Sequence, residues 1–134
     1  MSAARRTDVP ELTRVRCVLA VQDLARSVDY YTRVLGLAVD FTVPGWAFLS
    51  RGAWRVMLGE CADAMPAAET GDHSYFVYVT VERVDELYDE LVAKGATLTQ
   101  KLADKAWGMR EFGVRTPDGH RVMFGQELSG PGPR

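Results

Sequence analysis

The feature that most constrains this 134-residue chain is that its pattern occurs twice. Arg14–Val21 (RVRCVLAV) is rich in β-branched residues and alternates toward its start, as a strand does. Asp23 then stands where a helix cap belongs. Leu24, Val28, Tyr31 and Leu35 come next at spacings of four, three and four, one apolar stripe of a helix closed by Gly36. Three strand candidates succeed it, Leu37–Val43, Trp46–Arg51 and Trp54–Glu60, divided by Pro44-Gly45 and by Gly52. After a loop-like stretch from Cys61 to His73 the same order returns. Tyr75–Val81 reads as a strand, and Val84, Leu87, Leu91 and Val92 as a helix stripe ended by Gly95. Thr97–Leu102, Met109–Thr116 and Arg121–Leu128 read as strands, the last two joined by the turn Pro117-Asp118-Gly119.

Placing Val21 on Val81 puts Leu24 on Val84, Asp29 on Asp89, and Gly36 within one residue of Gly95. The repeat is therefore about 60 residues, each unit running strand–helix–strand–strand–strand. Such a chain is expected to be α+β: two tandem βαβββ modules whose mixed sheets curve around a cleft. The expected boundaries are 14–60 and 75–128, joined by a linker at 61–74, with flexible ends at 1–13 and 129–134.

Composition narrows the function classes. Lys plus Arg number 16 and Asp plus Glu 18, a formal charge of −2, so nucleic acid and anionic membrane are not expected partners. No apolar run approaches the ~20 residues that span a bilayer. The start, MSAARRTDVPELTR, has no apolar core behind its arginines, so a secretory signal is not expected and the cytosol is the expected compartment. Two cysteines, Cys17 and Cys61, cannot frame a disulfide scaffold and form no CxxC pair, although a single bridge stays open. Cys17, inside VRCVLAV, reads as a small buried hydrophobe.

Period-two alternation sorts the strands into faces. Trp54, Val56 and Leu58 should face the helix, as should Ala47, Leu49, Cys17, Leu19, Val21, Val77, Val79, Val81, Val122 and Phe124. The opposite face then carries Arg16, Trp46, Phe48, Arg55, Met57, Phe76, Tyr78, Arg121 and Met123. That apolar, aromatic set with arginine among it has the composition of a small-molecule pocket. Aromatic and Met side chains serve packing surfaces and dimer interfaces equally well, so composition alone leaves both readings open.

Three stretches carry a resemblance: VQDLARSVDYYTRVLGL (21–37), VERVDELYDELVAKG (81–95) and VRTPDGHRVMFGQ (114–126). They resemble the vicinal-oxygen-chelate superfamily of glyoxalases, extradiol dioxygenases, fosfomycin-resistance enzymes and bleomycin-resistance proteins, whose fold is two βαβββ modules. PGWAFLSRGAWRVML (44–58) and KAWGMREFGVRTPDG (105–119) are more similar to the bleomycin-resistance branch. The resemblance implies a homodimer that sequesters a planar, antibiotic-like ligand in grooves between subunits, without chemistry. It makes Trp46 and Trp107 the rings that stack on the ligand, with Phe48, Tyr78, Met109 and Arg110 as neighbouring candidates. Rigid aromatic faces suit that task because stacking gives large contact area at low entropic cost.

Catalysis in the superfamily uses a divalent metal held by His and Glu of cleft-facing strands, and the resemblance puts those positions on Arg16, Phe76 and Met123. A guanidinium, a phenyl ring and a thioether are not ligands for hard divalent ions, so no metal and no cofactor are expected. Neither histidine has a partner at ligand spacing: His120 reads as a solvated turn residue, and His73, just before a strand, as a surface residue in reach of a pocket's edge. Three function classes remain. The first is the antibiotic-binding protein. The second is a glyoxalase-like lyase or isomerase, with Glu111 or Glu60 near the cleft and Arg16 or Arg110 tuning it. The third is an interaction module whose aromatic face is only a dimer interface.

Overall fold

The computed structural model describes residues 9–71 and 75–128. The N-terminal segment to residue 8, His73 and the tail from residue 129 lie outside it. Strand β1 is Cys17–Val21, followed by helix α1, Leu24–Asp29, and strands β2 (Ala38–Val43), β3 (Trp46–Arg51) and β4 (Trp54–Glu60). The second module repeats the order with β5 (Val77–Thr80), α2 (Val84–Ala93), β6 (Thr97–Asp104), β7 (Met109–Arg115) and β8 (Arg121–Glu127). Each module is one four-stranded mixed sheet, ordered β1-β4-β3-β2 and β5-β8-β7-β6. In each, the last strand returns to lie parallel beside the first, and the other pairings are antiparallel. The outer strands β2 and β6 are both bulged against their neighbours, which bends a sheet. This is the α+β, two-module architecture expected from the repeat. No helix among the described residues is long and apolar enough to cross a membrane.

The one-residue mismatch between the two helices has a structural cause. Helix α1 runs on through a π-helical turn, Tyr30–Val34, in which Leu35 N–H donates to Tyr30 O, five residues back. A π turn accommodates one extra residue without shifting the chain beyond it. Gly36 and Gly95, both at positive φ (79° and 90°), then end the two helices at equivalent points. Both helices also begin alike. Leu24 N–H donates to the Glu60 carboxylate at the end of β4, and Val84 N–H donates to the Gln126 side-chain carbonyl at the end of β8, both at 2.9 Å. Asp23 accepts from Arg26 N–H as the N-cap of α1.

The helix-bearing faces of the two sheets share one core. Leu19, Val21, Leu49, Val56 and Leu58 from the first sheet join Phe112, Val114, Val122 and Phe124 from the second, with Tyr31, Leu35, Leu87 and Leu91 from the helical segments. Trp54, 8% exposed, joins the modules by packing its ring edge-on to Phe124 at 5.8 Å and tilted against Tyr31 at 6.2 Å. Arg51 adds a polar tie, donating to Leu35 O and to both carboxylate oxygens of Glu90 on α2. Val92, expected on the buried stripe of α2, is instead exposed, because Val84, Leu87 and Leu91 already complete that stripe. One face of each sheet is consumed by the common core, which leaves the opposite face of each outside it.

Candidate functional site

On the open face of the first sheet, strand alternation exposes an aromatic strip. Phe41 and Phe48 stack with ring centroids 4.2 Å apart, and the Arg16 guanidinium sits 5.5 Å over the Phe48 ring. Val18 and Trp46 are exposed beside them, and Met57, cross-strand from Phe48, is half-buried. Trp46 lies flat across Gly59 of β4: a Cβ there would sit 2.7 Å from its ring atoms. The ring, 37% exposed, therefore has a backbone floor beneath it and its other side free.

The open face of the second sheet is built on the same frame with polar chemistry. Tyr78 crosses Gly125 of β8, where any Cβ would collide with its hydroxyl, and donates that hydroxyl to Glu111 Oε2 on β7 at 2.6 Å. Trp107, in the turn before β7, donates its Nε1–H to the same oxygen at 3.1 Å. Glu111 is only 4% exposed, whereas Trp107 is 67% exposed: the indole is tethered at its edge and bare on its face. Burial, reinforced by the hydrogen bond and negative charge of Glu111, pushes the Tyr78 hydroxyl well above its ordinary range, so it remains a donor at any ordinary pH. Next to this group, Lys105 donates to Gln100, which donates to Tyr75.

The predicted site residues therefore divide into two groups. Arg16, Trp46, Phe48 and Met57 share the first open face; Phe76, Tyr78, Trp107, Met109 and Met123 belong to the second. Among the described residues no hydrogen bond or ring contact links one group to the other. Met123 lies on the second face but is buried against Gly113. Arg110 does not belong with them. Alternation turns it to the helix-bearing side, where it pairs with Asp104 at 2.6 Å and Asp85 at 3.1 Å. Those carboxylates raise its guanidinium pKa, and it in turn holds Asp104 below the usual carboxylate range. Glu60, an acid–base candidate by sequence, is occupied in capping α1.

His120 also departs from expectation. It is 4% exposed, not solvated, because the Ala67–Thr70 turn covers the segment before β8: Ala68 N–H donates to Asp118 O, and Ala68 packs against Gly119. Its ring meets Phe76 edge-on at 4.8 Å, and burial pushes the imidazole below its ordinary value. A divalent ion does not fit the superfamily's ligand positions. Arg16 lies over Phe48, Phe76 packs on His120, Met123 is buried, and no three His, Cys, Asp or Glu side chains converge among the described residues. Both cysteines are free thiols; burial raises the Cys17 pKa and the Asp63 carboxylate beside Cys61 raises the other, so neither is activated.

A fold of two βαβββ modules with open, aromatic faces defines a class, and the sequence agrees. The chain belongs to the glyoxalase/bleomycin resistance protein/dioxygenase superfamily, whose family model matches residues 13–124. Among curated proteins, it is 28% identical over 124 residues to the bleomycin resistance protein of Geobacillus stearothermophilus, covering 82% of this chain and 93% of that one. Among solved structures, TioX from Micromonospora sp. ML1 is 30% identical, covers 87% of this chain and 99% of its own, and superposes with a TM-score of 0.68. The bleomycin-binding protein of the bleomycin producer Streptomyces verticillus, solved with copper(II)-bleomycin, shares the fold at 23% identity and a TM-score of 0.68, covering 87% of this chain and 97% of its own.

Proposed function

We propose that this protein is a homodimeric, cytosolic binding protein for a flat, aromatic, antibiotic-like small molecule, which it sequesters without chemistry. The observation that carries the reading is the bare but anchored indole of Trp107, together with Trp46 lying on its glycine floor. Two rings held in place with one face free are preorganised to stack on a planar ligand, and neither would be a good use of a tryptophan in a monomer. In the homodimer, the first module of one protomer would face the second module of the other and give the groove its two walls. The names of the bleomycin-resistance relative and the bleomycin-binding neighbour support a ligand of this general kind.

Titration of the tryptophan fluorescence with bleomycin and other planar antibiotics, alongside a light-scattering mass, tests this. A dimer with saturable quenching is expected, and Trp46→Ala or Trp107→Ala should each weaken binding by about 1–3 kcal/mol, the usual range for an aromatic stacking partner. A monomer, or unchanged affinity in both variants, would overturn the site. A stoichiometric metal that survives dialysis would favour a lyase or isomerase instead.

A further inference from the structure

Glu111 is a buried carboxylate without a cation. Both donors it has, the Tyr78 hydroxyl and the Trp107 indole, are neutral, and both use Oε2. No Lys, Arg or His pairs with it among the described residues. Arg110, its neighbour in sequence, is spent on Asp85 and Asp104 across the sheet, and Lys105 on Gln100. Its other oxygen, Oε1, has no hydrogen-bond partner among the described residues. A carboxylate only 4% exposed and held by neutral donors alone has room for a cationic donor as its missing partner. Gly125 maintains the arrangement, because any side chain there would drive Tyr78 off Glu111.

We propose that Glu111 Oε1 is the anchor for a positively charged group of the ligand. The ligand class is then a flat ring system bearing an ammonium, amidinium or protonated ring nitrogen, its ring on the free face of Trp107 and its N–H on Oε1. The edge-on tether of Trp107 to Oε2 puts platform and charge on one rigid unit, and the indole face itself favours a cation. This rests on the reading of the open faces as a ring-binding surface, and it adds the charge that the ligand must carry.

Three flat probes of similar size separate charge from stacking: proflavine (a cation), acridone (neutral) and anthracene-9-carboxylate (an anion). Wild-type protein should bind them in that order of affinity, and an order with the neutral or anionic probe first would overturn the proposal without the need for any variant. Glu111→Gln keeps the shape and an acceptor for Tyr78 and Trp107. It should weaken proflavine at least about tenfold, the order of one charge-assisted hydrogen bond, and leave acridone unchanged. Equal loss for both probes, or no loss for either, would make Glu111 a mere tether for Trp107. Trp107→Ala without effect on any probe would instead remove the ring-binding surface itself, and the anchor with it.

Discussion

In the first module the ring above the central-strand glycine is Trp46, and its surroundings are Phe41, Phe48, Val18 and one guanidinium. In the second module the ring above the equivalent glycine is Tyr78, hydrogen-bonded to Glu111, whose same oxygen also holds Trp107. Gly59 and Gly125 correspond because Ala20 pairs with the first and Thr80 with the second, at matched places in the parallel ladders. The helix caps Glu60 and Gln126 correspond in the same way. The difference teaches where duplication tolerates change. The glycine and the strand-end cap are common to both modules, but the ring over the glycine comes from β3 in the first and from β5 in the second, and Glu111 stands in register where the first module has Trp46; one open face is apolar and the other polar.

Two modules that match in this way should be halves of one folding unit, and Trp54 is the place to break them apart. Trp54→Ala removes the ring that touches both Tyr31 and Phe124, and should cost about 3–5 kcal/mol in denaturant unfolding. Because the core is shared, near- and far-ultraviolet circular dichroism should still report a single transition. Two separated transitions would make the modules independent. Trp46→Ala and Trp107→Ala, both on exposed rings, should each change stability by less than about 1 kcal/mol.

The glycine floors give the next largest effect and a ranking. Gly59→Ala and Gly125→Ala each force a ring away from its strand, an overpacking that should cost about 1–3 kcal/mol. Gly125→Ala should be the worse, since Tyr78 must also give up Glu111, whereas Trp46 can lift toward solvent. Combining Gly125→Ala with Tyr78→Ala should recover part of the loss, and strictly additive melting shifts would mean that ring and glycine do not interact. The caps come third. Glu60→Ala and Gln126→Ala each leave a helix-start N–H without its acceptor and should cost about 0.5–2 kcal/mol, while Glu60→Gln, which keeps an acceptor, should cost less than about 0.5 kcal/mol by thermal melting.

Much of this frame is legible in the sequence, because the apolar stripes have helical and strand periods and the two glycine stops nearly align. Even the one-residue misalignment is visible there, although only the backbone shows that a π turn absorbs it. The faces of β3, β4 and β8 also follow from alternation, and so does Trp54 in the core. Periodicity cannot supply contact between distant segments. His120 looks solvated in PDGHR because nothing local says that the Ala67–Thr70 turn folds over it. Arg110 passes for a site residue beside Trp107 until the strand turns it toward Asp85. Glu111 can be placed near the cleft from sequence, but its two donors come from 33 residues before it and four before it, a convergence that only the sheet creates. Gly59 and Gly125, each following an apolar residue near the end of a strand, are the available signal for crossing rings.

The smallest effect concerns the position where the two central strands differ most in burial partner. In register, His120 is the second module's counterpart of Trp54, since Val56 and Val122 pair equivalently with Cys17 and Val77. A neutral imidazole thus sits where the first module has an indole. Burial holds its pKa below the ordinary 6.5; Asp118 opposes that, and Arg121 adds to it. A base with a depressed folded pKa binds fewer protons folded than unfolded between the two values, so unfolding free energy rises with pH across that window. The contribution is complete above about pH 6.5 and is lost as pH falls below it. Asp29, Glu90 and Asp104, held below their ordinary values by arginine partners, contribute with the same sign but begin to lose their share only near pH 4.5 and below. The urea midpoint of the wild type should therefore drop between pH 7.5 and 5.5, and that of His120→Gln should stay nearly level, with His73→Gln as the control for the other imidazole. Parallel declines in wild type and His120→Gln would mean that the buried turn of the second module is not what acid opens first.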